Sequence, residues 1–255
     1  MGSMGIACAD FDGNGYLDLL TTNFAGERNA LFSNDGELVF FDRSAGGGLD
    51  QPSRPFVGWE AIPLDADGNG EWELFVANGH VTEMPAAPYR QKPGLFRRDA
   101  TGEWSSVTGA GDYFDQSWHA RGATAADVAG DDRPDLIVSH IEDDAALLVN
   151  ESPRRGEFLQ LTLSGTASNR SAITARIVAT IGAERRTTQV MRSAGYLSSF
   201  PAEVSLSLGD ATRIDVLQID WPSGVVQTFS DVDSRQRWFL REGSDLRSLP
   251  QRVSR

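Results

Sequence analysis

Cysteine, histidine and lysine are all scarce in this chain of 255 residues. Cys8 stands alone, which excludes a disulfide within the chain and any cysteine-built zinc site. The histidines at 80, 119 and 140 share no spacing and have no acidic partner in a motif, so a histidine-held metal is not expected. His80, in ANGHV, reads as structural. Lys92 is the single lysine, and arginine supplies the rest of the 23 basic residues. No apolar run approaches the roughly 18–20 residues of a membrane span, so no transmembrane segment is expected. The opening, MGSMGIACAD, has neither a basic leader nor an apolar export segment and runs straight into a motif, which reads as a fragment of something longer. A G-x-S-x-G elbow, a Walker-type loop and a G-x-G-x-x-G turn are all missing, as is any stripe of 3.6-residue period.

What is abundant is acid, and it is unevenly placed. Residues 1–151 hold 26 Asp and Glu against 9 basic residues, whereas 152–255 hold 10 against 14. The change of sign marks two domains: 1–151, 152–243, and a frayed tail at 244–255. The acidic half argues against nucleic acid as a partner, since duplex binding needs a basic face, and favours cations.

The acid is also periodic. ACADFDGNGYLDLLTTNF (7–24), AIPLDADGNGEWELFVANG (61–79) and ATAADVAGDDRPDLIVSH (123–140) share a small-residue lead, an acidic loop and an apolar strand. The loops occupy 10–18, 65–73 and 127–135, at intervals of 55 and 62 residues. Short β-branched runs bounded by Gly, Asn and Asp predict strands, and this long a period fits a β-propeller blade or a β-solenoid turn. After residue 151 the texture becomes FLQLTLSG, ITARIVATIG, RRTTQVM, VSLSLG, RIDVLQIDWPSG, VVQTFS and RWFLRE. That series predicts an antiparallel sandwich or barrel. The expected fold class is all-β: about three propeller-type blades forming an incomplete ring, then a β-sandwich or barrel.

A hard cation such as Ca²⁺ takes six to eight oxygens, and a loop supplies them from positions one, three, five and nine plus the carbonyl of seven. In the first loop these are Asp10, Asp12, Asn14, Asp18 and the carbonyl of Tyr16; in the second, Asp65, Asp67, Asn69, Glu73 and the carbonyl of Glu71. The third retains Asp127, Asp131, Asp135 and the carbonyl of Arg133, but Ala129 at position three cannot ligate and Pro134 stiffens the turn. An EF-hand is ruled out because Thr21 and Val76 stand where its bidentate glutamate belongs, and the flanks are strands. The plainer alternative is a set of metal-free Asx turns. In the second half, Arg170, Arg176, Arg185, Arg186 and Arg192 suit either an acidic glycan or the acidic half of the chain, unless they simply line solvated strands.

The repeats resemble FG-GAP (VCBS-type) repeats. The second half resembles an ASPIC/UnbV domain through SNRSAITARI (168–177), GYLSS (195–199), SLSLG (205–209) and WPSGVVQTF (221–229). The combination is similar to the cartilage acidic protein family and its bacterial members. Thr174 departs from that pattern, where the family usually has glycine. The resemblance implies Ca²⁺ within the blades, an extracellular or cell-envelope address and no assigned catalytic residue. It also implies further blades, upstream or from another chain, because three cannot close a ring. The expected function is a calcium-binding, non-catalytic adhesion or binding module for a protein or glycan. The alternative is an enzyme or accessory protein of natural-product biosynthesis, with a site in the propeller channel or inter-domain crease.

Overall fold

Short apolar runs closed by Gly, Asn and Asp offer no helix enough residues to nucleate, so they pair as strands. The computed structural model describes residues 2–36, 38–83, 88–193 and 195–250; residues 251–255 of the expected tail lie outside the described residues. The first sheet is a meander of β1 (Ile6–Ala9), β2 (Asp18–Thr21), β3 (Ala30–Asn34) and β4 (Phe40–Asp42). After a single helical turn, α1 (Asp50–Ser53), a second meander runs through β5 (Gly58–Leu64), β6 (Glu73–Asn78), β7 (Gly94–Arg98) and β8 (Trp104–Ser106). Following α2 (Asp112–Asp115), the third has three strands: β9 (Ala120–Ala126), β10 (Asp135–His140) and β11 (Ala146–Leu148). The first strands of the three sheets, β1, β5 and β9, lie side by side, which sets the sheets next to one another in a propeller-like arrangement.

β6 shows why the blades stack. Its sequence, ELFVAN, is buried at every position, as expected of a strand covered on both faces. Leu74 and Val76 pack with Ala7, Ala9, Leu20 and Leu31 of the first blade, whereas Phe75 and Ala77 pack with Ala120, Ala123, Leu136 and Val138 of the third. Successive side chains alternate between faces, so one strand serves two interfaces.

The second half forms two four-stranded sheets. In one, β12 (Glu157–Ser164) lies between β15 (Glu203–Gly209) and β18 (Arg237–Arg241), and β18 carries β19 (Arg247–Leu249) at its edge. In the other, β13 (Arg176–Ile181) and β16 (Arg213–Asp220) are central, flanked by β14 (Glu184–Gln189) and β17 (Val226–Asp233). Leu159, Leu161 and Leu206 from one sheet and Ile177, Leu217 and Ile219 from the other share a single core, which makes this a sandwich. Residues 247–249, placed by the sequence in a frayed tail, pair instead with β18, where Trp238 faces Ser248.

Candidate metal centre and inter-domain cleft

The three acidic loops join the inner strands to their neighbours, so all three emerge at one end of the blades. The sandwich sits against that end. Arg176 donates to the Gly15 carbonyl at 2.8 Å, Ser207 Oγ to the Gly68 carbonyl at 3.1 Å, and Gln160 Nε2 to the Asp132 carbonyl at 3.2 Å, one contact per loop. A Cβ on Gly156 would fall 1.9 Å from the Gly68 oxygen, so only glycine allows the linker to cross the second loop this closely. Of the arginines singled out in the sequence, Arg176 therefore docks on the acidic half, and Arg186 lies over Gly70 while donating to the Ser207 carbonyl. Between the loops and the sandwich opens a cavity of about 840 Å³, lined among others by Asp10, Trp72, Asp127, Arg186, Phe200 and Ser205.

In the first loop, Asp10, Asp12 and Asp18 bring one carboxylate oxygen each to within 4.8 Å of one another, the sole such carboxylate group among the described residues. Asp18 is positioned by the Phe11 and Asn34 amides at 2.9 and 2.8 Å, and Asp12 by Ser33 Oγ at 2.8 Å. Asn14 accepts from the Tyr16 amide and donates to the Asn34 carbonyl. Asp10 Oδ2 accepts from the Gly15 amide, but Asp10 Oδ1 is buried and has no partner. Burial, opposed by the Gly15 amide and reinforced by Asp12 and Asp18, pushes the Asp10 carboxyl up to about 6. Burial also raises Asp18. These carboxylates are held in ionic proximity at a cost that an added cation would relieve.

The second loop has the same backbone turn with different company. Asp65 accepts from the Gly68, Asn69 and Gly70 amides, and Asn69 accepts from the Glu71 amide. Glu73, however, is paired with Arg97 at 2.8 Å, and Asp67 with Arg155 at 3.2 Å. Burial raises both Asp65 and Glu73, in the latter case against Arg97. In the third loop Asp127 accepts from the Gly130 and Asp131 amides, and the fully buried Asp135 from those of Val128, Ala129 and Asn150. Asp131 is bound by the Arg133 side chain. The sequence assigned Arg133 a carbonyl ligand role and did not foresee that pairing.

A second constellation, absent from the sequence reading, lies on the inner strand of the middle blade. Glu60 is completely buried. It accepts from the Tyr196 amide at 2.9 Å and from its neighbour Ala61 at 3.1 Å, and its charge is further supported by Ser198 and the Ala123 amide. Burial outweighs those donors and holds its carboxyl up at about 7. Tyr196 packs edge-on to Trp59 at 4.6 Å, with the Arg121 guanidinium 4.2 Å from the Trp59 ring. The signal was present: a glutamate inside the apolar run VGWEAIPL has no reason to be there unless it is bonded. Among the described residues the histidines join no cluster of metal-ligating side chains; His80 is buried with Nδ1 against Thr82, and His119 contacts the His80 carbonyl.

The fold and contacts describe an all-β protein with propeller-like blades docked on a β-sandwich. Residues 165–247 match the family described as ASPIC and UnbV, so that sandwich carries an ASPIC/UnbV domain. The match ends at Arg247, the first residue of β19. No curated protein matches the chain. Among the described residues no helix is long and apolar enough to cross a membrane.

Proposed function

We propose that this chain is a calcium-stabilised, non-catalytic binding module: FG-GAP-type blades whose cation loops carry an ASPIC/UnbV domain, in a protein of the cartilage acidic protein type at a bacterial cell envelope or outside the cell. A propeller-like fold with an ASPIC/UnbV domain fits a binding module. The observation that carries the calcium reading is Asp10 Oδ1, a buried oxygen without a donor on one of three clustered carboxylates. Leaving such an oxygen unpaired costs free energy that native proteins rarely tolerate. The donor set is all oxygen, as a hard cation requires, with Asp10, Asp12, Asn14, Asp18 and the Tyr16 carbonyl to hold the ion. In this reading the ion neutralises the loop against which Arg176 docks, and a protein or glycan ligand enters the inter-domain cleft. The second reading, an enzyme or biosynthetic accessory, rests on the same cleft, where Asp10 and Asp65 both have raised carboxyls. Their place in the loops, each bonded to loop amides, favours the structural role.

A thermal melt with excess Ca²⁺, with chelator, and with Mg²⁺ tests the proposal. Calcium at about 100 times its dissociation constant adds roughly 2.7 kcal/mol per site, or several degrees at roughly 2–4 °C per kcal/mol. That rise should shrink in Asp10→Asn and vanish when Asp65→Asn is added. An identical melt in all three solutions would refute it.

A further inference from the structure

The three loops differ in one respect that bears on metal content: where each finds positive charge. Among the described residues the first has no guanidinium paired with its carboxylates; Asp12 instead accepts from the Ser33 hydroxyl. The second is met by Arg97 and Arg155, whose side chains are 45% and 62% exposed and free to turn into solvent. Their carboxylates, Glu73 and Asp67, are only 4% and 6% exposed, but the guanidinium ends lie toward solvent and are not fastened elsewhere among the described residues, so an arriving ion can displace them. The third supplies a cation from its own sequence. Arg133 Nε lies 3.0 Å from Asp131 Oδ2, its NH2 contacts the same oxygen, and its NH1 donates to the Ser152 carbonyl. With Arg133 only 20% exposed and fastened at both ends, this guanidinium is part of the loop.

The rest of the third loop agrees. Ala129 removes the ligand at position three. Among the described residues no carboxylate oxygen of the third loop is buried without a partner, whereas Asp10 Oδ1 of the first loop is. A divalent ion seated here would face a fixed like charge about one side chain away, which disfavours it.

We propose that Arg133 replaces the metal of the third loop: residues 127–135 take no calcium, and their shape in the absence of metal depends on the Arg133–Asp131 pair. The metal content predicted for the other loops rests on the calcium reading above, but the role of Arg133 does not.

Two arms separate those claims. In chelator, Arg133→Ala should lower the melting temperature by several degrees, Asp131→Ala should add little to that loss, and Arg133→Lys should recover only part of it, since an ammonium lacks the planar fork. An unchanged melt for Arg133→Ala would overturn the proposal whatever the metal content. In the second arm, Ca²⁺ is titrated calorimetrically and Tb³⁺ by tryptophan-sensitised emission. Asp131→Asn should leave the number of bound ions unchanged, whereas Ala129→Asp with Arg133→Thr should raise it by one. A loss of one ion in Asp131→Asn would overturn the proposal. No ion bound by the parent chain would sink the calcium reading alone, with Arg133 still decided by the chelator arm and by the ion gained in the double variant.

Discussion

A Cβ atom on Gly195 would lie 1.9 Å from Oε1 of Glu60, a distance at which no side chain fits. The glycine that opens GYLSS in the ASPIC/UnbV domain and a carboxylate on the inner strand of the middle blade are therefore matched across the domain boundary. The match extends along the segment, for Thr124 Oγ1 of β9 donates to the Ser199 carbonyl at 2.8 Å. GYLSS thus spans two inner strands and holds the sandwich to the blades.

The first prediction follows from Glu60 itself. Its carboxyl titrates at about 7 in the folded protein, above its usual 4.5. Between those values the native state keeps a proton that the unfolded chain has released, so the contribution of Glu60 to stability is greatest below pH 4.5 and falls as pH rises to about 7. The whole effect is on the order of 3 kcal/mol. Denaturant melts from pH 4.5 to 7.5 should show a fall to which Asp10, raised to about 6, also contributes, and Glu60→Gln should remove the Glu60 share, most visibly between pH 6 and 7.5. Gly195→Ala should cost about 1–3 kcal/mol at every pH, as overpacking does.

How much of this could be read beforehand depends on the range of the interaction. Strands such as ELFVAN and RIVATI announce themselves locally, through β-branched runs closed by turn residues, and the spacing of Asp10, Asp12 and Asp18 forecast that they would face one another. Contacts between residues far apart in the chain left a weaker trace. Arg155 on Asp67, Arg97 on Glu73 and Tyr196 on Glu60 span 24 to 136 residues, and no local pattern encodes such a pairing. β19 was missed because RSL is short and polar, and becomes a strand only through the edge that β18 offers it.

Thr174 gives a prediction in the stabilising direction. It occupies φ +73°, a conformation that strains a β-branched residue. Thr174 is exposed and contributes no packing to offset the strain. Relief of that strain should exceed the entropy cost of glycine, so Thr174→Gly should gain about 1 kcal/mol in a urea melt. Thr174→Ala, which removes the branch but keeps a Cβ at positive φ, should gain less.

Glu242 works in the opposite sense to Glu60. One of its oxygens accepts from three successive amides, those of Thr166, Ala167 and Ser168, at 2.7–2.8 Å, and the other from the hydroxyls of Ser168 and Ser223. Burial works against ionisation, but these donors, Ser223 first, bring the carboxyl down to about 2. The contribution to stability is complete above pH 4.5 and is lost as pH falls toward 2. By joining the loop of SNRS to the turn of WPSG, Glu242 links two motifs of the domain through one side chain. Glu242→Gln should therefore lower the melting temperature at pH 7 and weaken the acid-induced decline expected of the parent chain between pH 4.5 and 2.

The last prediction connects the metal to the domain boundary. Arg176 reaches the first loop, the linker amide of Arg155 reaches the Asp67 carbonyl at 2.6 Å, and Arg155 itself caps Asp67. If calcium orders the first two loops, its removal loosens the surface on which the sandwich rests and frees the linker. Arg155 is already 62% exposed, so trypsin needs only local opening of the backbone to cut beside it. Chelator should therefore speed tryptic cleavage at Arg154 and Arg155, and calcium should suppress it. Asp10→Asn should be cleaved quickly in either solution, because the first loop has lost a ligand. Arg176→Ala should also be cleaved quickly while still binding the ion, since it removes the contact and leaves the cage intact. Equal cleavage of the parent chain with and without calcium would show that the loops and the boundary are uncoupled.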